Sequence, residues 1–157
     1  MSEGELPRAR DIALRYLSFR PRTEHEVYLK LKKHNIHPEL IHECLTELKE
    51  KDYINDEKFA LNWVLERKDY KLRSPSMIKR ELLNKGMDKK IIEDSLASGY
   101  SDLDEQGVIK KLIDKHKRSK PGFLNDYDLI IKFKRRLVAK GFSLSQIESA
   151  LKSPPQD

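Results

Sequence analysis

One cysteine, Cys44, stands in 157 residues. An intrachain disulfide is therefore excluded, and so is a four-cysteine metal knot. Glycine and proline are sparse, at six and seven residues, and Val, Ile and Thr never alternate in period two, so sheet is not expected. The start, Met1-Ser2-Glu3-Gly4-Glu5, lacks a basic segment followed by an apolar one, and no long apolar run follows. Neither a signal peptide nor a membrane span is read there. Walker-type loops, dinucleotide fingerprints and hydrolase elbows are missing too, so no enzyme chemistry and no cofactor are expected. What remains is a chain 38% hydrophobic and 37% charged. That balance favours helices with narrow apolar faces over a single thick core. A reducing compartment, the cytoplasm, is the expected location.

The stretch Tyr53-Ile54-Asn55-Asp56-Glu57-Lys58-Phe59-Ala60 ends one helical unit and opens another. Asn55 is a good N-cap, and Asp56 and Glu57 suit the positive end of a helix dipole. Phe59, Ala60, Trp63 and Val64 then recur at three and four, which makes one apolar face. Upstream, residues 1 to 8 read as loose, and a helix carrying Ile12, Ala13, Tyr16 and Leu17 stops near Arg20-Pro21. Thr23 and Glu26 form a capping box for a helix with Val27, Leu31 and His34 on one face, widened by Tyr28 and Leu29. Asn35 takes the left-handed position that closes it. Pro38 opens the next helix, with Ile41, Cys44, Leu45 and Leu48 inward.

This pattern returns. At an offset of 51 residues, Thr23, Val27, Leu31 and Ile41 become Ser74, Ile78, Leu82 and Ile92, and Asn35-Ile36 becomes Gly86-Met87. At an offset of 106, Phe133, Leu137, Gly141-Phe142, Ile147 and Leu151 appear. Repetition at core positions and helix stops implies stacked supersecondary units. The chain is therefore read as all-α: three tandem three-helix repeats over residues 1–52, 53–99 and 100–153, in an elongated, curved body with a flexible tail at 154–157. Leading helices are expected at about 9–19, 56–71 and 104–118. Second helices fall at about 23–34, 75–85 and 126–140, and third helices at about 38–50, 88–97 and 144–152. Thr23, Asn55, Gly86 and Gly141 are the structural caps.

The net charge of +6 is unevenly placed. Residues 1–106 hold 20 basic against 21 acidic residues, whereas residues 107–141 hold 11 against 3. Lys110, Lys111, Lys115, Lys117, Arg118 and Lys120 follow one helix, with Leu112 and Ile113 inward. Lys132, Lys134, Arg135, Arg136 and Lys140 follow the next, with Phe133 and Leu137 inward. Two such faces fit phosphates or an acidic strip on a protein; a solvated lysine-rich face is the competing reading. No aromatic alternates with these cations on a sheet, so backbone contact is favoured over base stacking. His34, His37 and His42 lack a metal-ligand spacing, and His34 is read as capping a helix end. Adjacent Asp56 and Glu57 point about 100° apart on a helix and are read as capping groups, not an acid–base pair.

The sequence resembles the RecX family, bacterial regulators of the RecA recombinase. The likeness rests on Arg20-Pro21-Arg22-Thr23-Glu24-His25-Glu26, on the Tyr53–Ala60 stretch, and on Ile78-Lys79-Arg80-Glu81-Leu82-Leu83-Asn84-Lys85-Gly86-Met87. It continues in Phe133-Lys134-Arg135-Arg136-Leu137-Val138-Ala139-Lys140-Gly141-Phe142, and spans residues 9 to 151. It implies three three-helix repeats that associate with RecA filaments on DNA and restrain strand exchange, ATP turnover and co-protease function. Arg20, Arg22, Arg67, Arg73, Lys79 and Arg80 then join the two basic helices as the partner or DNA surface of a monomeric protein. The chain departs from the family pattern at Leu72-Arg73-Ser74-Pro75, where a glycine is common, and it stops soon after the third repeat. Rival readings are a phosphate-backbone binder that needs no RecA, and a helical adaptor for another protein.

Overall fold

The computed structural model describes residues 3–152, and among these it contains nine α-helices, one 3-10 turn and no strand. The helices are α1 (Glu5–Phe19), α2 (Glu24–Lys33), α3 (Pro38–Glu50), α4 (Asp56–Asp69), α5 (Pro75–Asn84), α6 (Lys89–Gly99), α7 (Asp102–Ser119), α8 (Tyr127–Ala139) and α9 (Leu144–Lys152). They form the three leading, second and third helices of a three-repeat chain. The expected flexible tail at 154–157, like residues 1 and 2 of the expected loose start, lies outside the described residues.

Residues 5–8 are not loose but open α1. Pro7 falls in the first turn, where its missing N–H costs nothing. Glu5 Oε1 accepts from the His37 amide at 2.9 Å, and Arg8 donates to the His34 carbonyl at 3.1 Å, so this turn is tied to both ends of the α2–α3 connection. Leu29 is exposed rather than part of the α2 apolar face. It lies two residues beyond buried Val27, about 200° around the helix. A 3-10 turn at Phe123–Asn125, which periodicity did not indicate, follows Gly122 at φ 83 and buries Phe123.

The chain divides into two compact units. The first runs to Ala60 and includes Leu82–Ile92; the second comprises Leu61–Glu81 and the residues from Glu93 on. In the first, α1, α2 and α3 pack pairwise around Ala9, Ala13, Val27, Leu31, Ile41, Cys44, Leu45 and Leu48. Two alanines on α1 let the other helices approach closely. Cys44 is fully buried, and burial pushes its thiol up, so it packs as a small hydrophobe. In the second unit, α7 packs along α9, and α8 packs on α9 and the 3-10 turn. Val108, Ile109, Ile113, Phe133, Leu137 and Ile147 are buried there.

One joint occurs in both units. In the first, Thr23 Oγ1 caps α2 by accepting from the Glu26 amide at 3.2 Å and donates to the Lys85 carbonyl at 3.2 Å. In the second, Ser74 Oγ caps α5 by accepting from the Met77 amide at 3.2 Å and donates to the Lys140 carbonyl at 2.7 Å. Each carbonyl precedes a left-handed glycine, Gly86 at φ 75 or Gly141 at φ 97. A Cβ on Gly86 would overlap the His25 ring, and one on Gly141 would overlap Ser76 Oγ. His25 and Ser76 occupy the same place in their helices, two residues after the cap. Aspartate and asparagine cap helices as well as serine does, but only a hydroxyl accepts and donates through one oxygen. Ser or Thr is therefore required at both joints.

Ser74→Asp keeps the cap and removes the outward donor. It is expected to lower the unfolding free energy by about 1 to 3 kcal/mol, while Ser74→Thr stays within about 0.5 kcal/mol. Urea unfolding followed by circular dichroism measures both, and equal stabilities would show that capping alone explains the residue.

Candidate nucleic-acid interface

The expected site residues fall into two groups once their neighbours are seen. On α7, Lys111, Lys117 and Arg118 are exposed, Lys110 is half-buried, and Ile113 is buried beneath them. Lys115 and Lys120 are exposed as well. On α8, Lys132, Arg135 and Lys140 are exposed over buried Phe133 and Leu137. Lys134 lies 3.8 Å from Glu148. Arg136 donates toward His116 Nδ1 at 3.0 Å and lies over the Phe133 ring at 5.5 Å. The exposed cations are available to a polyanion; Arg136 is engaged in holding α8 to α7.

His116 is the residue that periodicity missed. Its ring stacks on Phe133 at 4.8 Å and meets Phe123 edge-on at 4.5 Å. Partial burial, then the positive charges of Arg136 and Lys120, hold its pKa below the ordinary histidine value. A neutral ring can accept the Arg136 proton at Nδ1, whereas a protonated one cannot. Within Lys115-His116-Lys117 the histidine looks like one more cation, and only the two phenylalanines above it give it another role.

Arg67, expected at the partner surface, is largely covered. Its guanidinium lies 4.0 Å from the Trp63 ring centre, and its Nε lies 3.4 Å from Glu81. It joins α4 to α5 inside the second unit. Lys79 and Arg80, on the same turn of α5, are exposed. Arg73 is exposed too, and its backbone is fixed at both ends: its amide donates to the Arg67 carbonyl at 3.0 Å, and its carbonyl accepts from Tyr100 Oη at 2.8 Å. Tyr100 is buried, which pushes its phenol well above the ordinary value.

In the first unit, Arg20 and Arg22 converge on Glu26 at 3.2 and 3.9 Å, and Lys85 approaches it at 3.6 Å. Burial opposes ionisation of Glu26, but the Thr23 amide, Lys85 and Arg20 outweigh it and hold this carboxyl below the usual range. Arg22 also lies 3.9 Å from the Tyr16 ring centre. It is a packing residue, while Arg20 retains an exposed edge. Asn55 Oδ1 accepts from the Lys58 amide at 3.0 Å, the geometry of an N-cap. Asp56 reaches outside its own helix and accepts from the Glu24 amide at 3.0 Å, although burial pushes its pKa up. His34 ends α2, His37 caps α3 by accepting from the Glu39 amide, and His42 is exposed. Among the described residues no group of three His, Cys, Asp or Glu is placed to hold a metal ion.

Comparison with known proteins places this helical chain. The family model of the first three-helix domain of RecX matches residues 9–48, and that of the second three-helix domain matches residues 55–96. Regulatory protein RecX of Caldanaerobacter subterraneus is 37% identical over 147 residues, which is 94% of this chain and 71% of that protein. The chain belongs to the RecX family. RecX of Streptococcus mutans is 33% identical over 90% of the chain, and that of Bacillus cytotoxicus 35% over 88%. The chain spans about half of those two relatives, 54% and 51%. The crystal structure of RecX from Lactobacillus salivarius superposes with a TM-score of 0.88 at 30% identity, covering 96% of this chain and 97% of that one.

The His116–Arg136 contact gives a pH prediction. Because the folded pKa of His116 lies below its unfolded value, the unfolded chain binds more protons, and this contribution is present above about pH 6.5 and lost as pH falls through the folded pKa. Melting between pH 7.5 and 5 should show a downward step in the native protein that His116→Gln lacks. Parallel profiles would remove histidine protonation as its cause.

Proposed function

We propose that this chain is a non-enzymatic regulator that binds nucleoprotein filaments of the RecA recombinase and restrains their activity. Membership of a family whose relatives are named regulatory proteins supports the regulatory role. The observation that carries the surface is the set of exposed cations, Lys111, Lys117, Arg118, Lys132 and Arg135, on adjoining helices of the second unit. Their segment holds few acids, so the field they produce is not cancelled locally. Lys79 and Arg80 extend the same reading to α5, and Arg73 to the connection before it. Phosphates of filament DNA are the anions such side chains meet best, and RecA supplies the remaining contact. The three repeats, over 1–52, 53–99 and 100–153, act as a monomer in the cytoplasm. No helix among the described residues is long and apolar enough to cross a membrane.

Two mechanisms fit: bridging neighbouring recombinase subunits so that they stay unproductive, or obstructing the path by which duplex DNA enters. In both, protein contact confers selectivity and phosphate contact adds affinity that declines with salt.

Fluorescence anisotropy at about 0.15 M salt tests the reading, with labelled protein titrated against naked single-stranded DNA and against RecA assembled on it. Tighter binding to the filament is expected. The triple reversal Lys111→Glu, Lys132→Glu, Arg135→Glu should lower filament affinity about tenfold or more while helix content is unchanged. Equal or tighter binding to naked DNA would favour a phosphate-backbone binder that needs no RecA, and indifference to both would favour an adaptor for another protein.

A further inference from the structure

A cavity of about 230 Å³ in the second unit joins residues that the sequence scatters over 70 positions. Lys71 and Arg73 reach it from the α4–α5 connection, Lys115 from α7, and Lys140 from the end of α8. No acidic side chain lines it. Tyr70, 82% exposed, stands on its rim. The connection turns sharply because Leu72 takes φ 54, a conformation that a side chain other than Asn or Asp seldom adopts unless its surroundings impose it. That constraint is supplied on both sides of Arg73: its amide is held by the Arg67 carbonyl, and its carbonyl by buried Tyr100. Ser74, the next residue, is fixed to the Lys140 carbonyl. The joint that holds the unit together therefore also brings Arg73 and Lys140 to one cavity.

Four cations around a cavity free of acid form a focused positive potential. The geometry points to a subsite for single-stranded nucleic acid, in which Lys71, Arg73, Lys115 and Lys140 take a backbone phosphate and Tyr70 stacks the adjoining base. It deepens the filament-binding reading and rests on that reading's assignment of phosphate to the second unit. Single-stranded nucleic acid repeats an anion beside a flat π face, which is the pairing this cavity and its rim offer. An acidic peptide would use the cations but leave the tyrosine without a role. Duplex DNA presents phosphates but keeps its bases stacked. The larger cavity of the first unit, about 370 Å³ between α1 and α2, does not offer the same field, because it includes Asp11 and its Arg8 is engaged by the His34 carbonyl.

The test uses the whole chain and a labelled oligodeoxythymidine, with binding measured over a salt series. Tyr70→Ala should weaken binding at least about fivefold with little change in salt slope, and Tyr70→Phe should stay within about twofold of the native protein. Lys71→Ala with Lys115→Ala should weaken binding and reduce the slope of log affinity against log salt by up to about 0.7, the one phosphate these side chains share on a single strand. All of these side chains are exposed, so folding is expected to persist, and circular dichroism checks it. Native-like binding by Tyr70→Ala, or an unchanged slope in the double variant, would overturn the subsite. Displacement of the oligonucleotide by polyglutamate at equal charge concentration, together with an indifferent Tyr70→Ala, would assign the cavity to an acidic protein segment instead. Loss of filament binding alone bears on the filament reading; these variants on the naked strand bear on the subsite.

Discussion

The proton on two side-chain hydroxyls carries the joints on which this structure depends. Thr23 and Ser74 each close the free end of their own helix and reach to the carbonyl at the end of another, just before a left-handed glycine. At Gly141 the Ser76 and Ser74 hydroxyls leave no room for a Cβ, and at Gly86 the His25 ring fills that space, so each glycine is fixed by the helix start packed on it. Both hydroxyl residues are buried, where an unsatisfied donor or acceptor would be costly. The joint thus discriminates strongly between the correct partner carbonyl and any shifted one. The narrow apolar faces of these helices, interchangeable in shape, would discriminate less.

A second polar device recurs in the same spirit. Glu5 on α1 accepts the His37 amide at the start of α3, and Glu105 on α7 accepts the Ser143 amide at the start of α9 at 2.9 Å. Glu105 is only 7% exposed, and the Ser143 amide gives its carboxylate a hydrogen-bond partner at the helix start. In both triplets a carboxylate from the leading helix fixes where the third helix begins. Hydrophobic burial supplies the driving force for packing. These polar contacts set the angle and register at which the helices meet.

Much of this was legible in the sequence, because capping chemistry is local. Thr23 with Glu26, the glycines at 86 and 141, and the matched core positions mark helix ends and faces within a few residues of one another. The start of α1 was not legible: what stabilises Glu5 and Arg8 lies about 30 residues away, at His37 and His34. The candidate surface divided for a related reason. Charge alone makes Arg67, Arg136 and Arg22 look like Lys111 or Arg135, but an arginine is also a flat group that packs on rings, and each of the first three lies over an aromatic ring. Neither Tyr70 nor His116 stood out, since their roles arise from neighbours on other helices.

The central claim is that the second unit presents the anion-binding face through exposed cations such as Lys71, Lys111, Lys115 and Lys132. Acetylation footprinting of lysines, read by mass spectrometry on the free chain and on the chain bound to RecA assembled on single-stranded DNA, tests it most directly. Lys71, Lys111, Lys115 and Lys132 should lose reactivity in the bound state, while Lys33 and Lys51, exposed on the first unit, should keep it. Protection confined to Lys33 and Lys51, with the second unit's lysines fully reactive, would contradict the account.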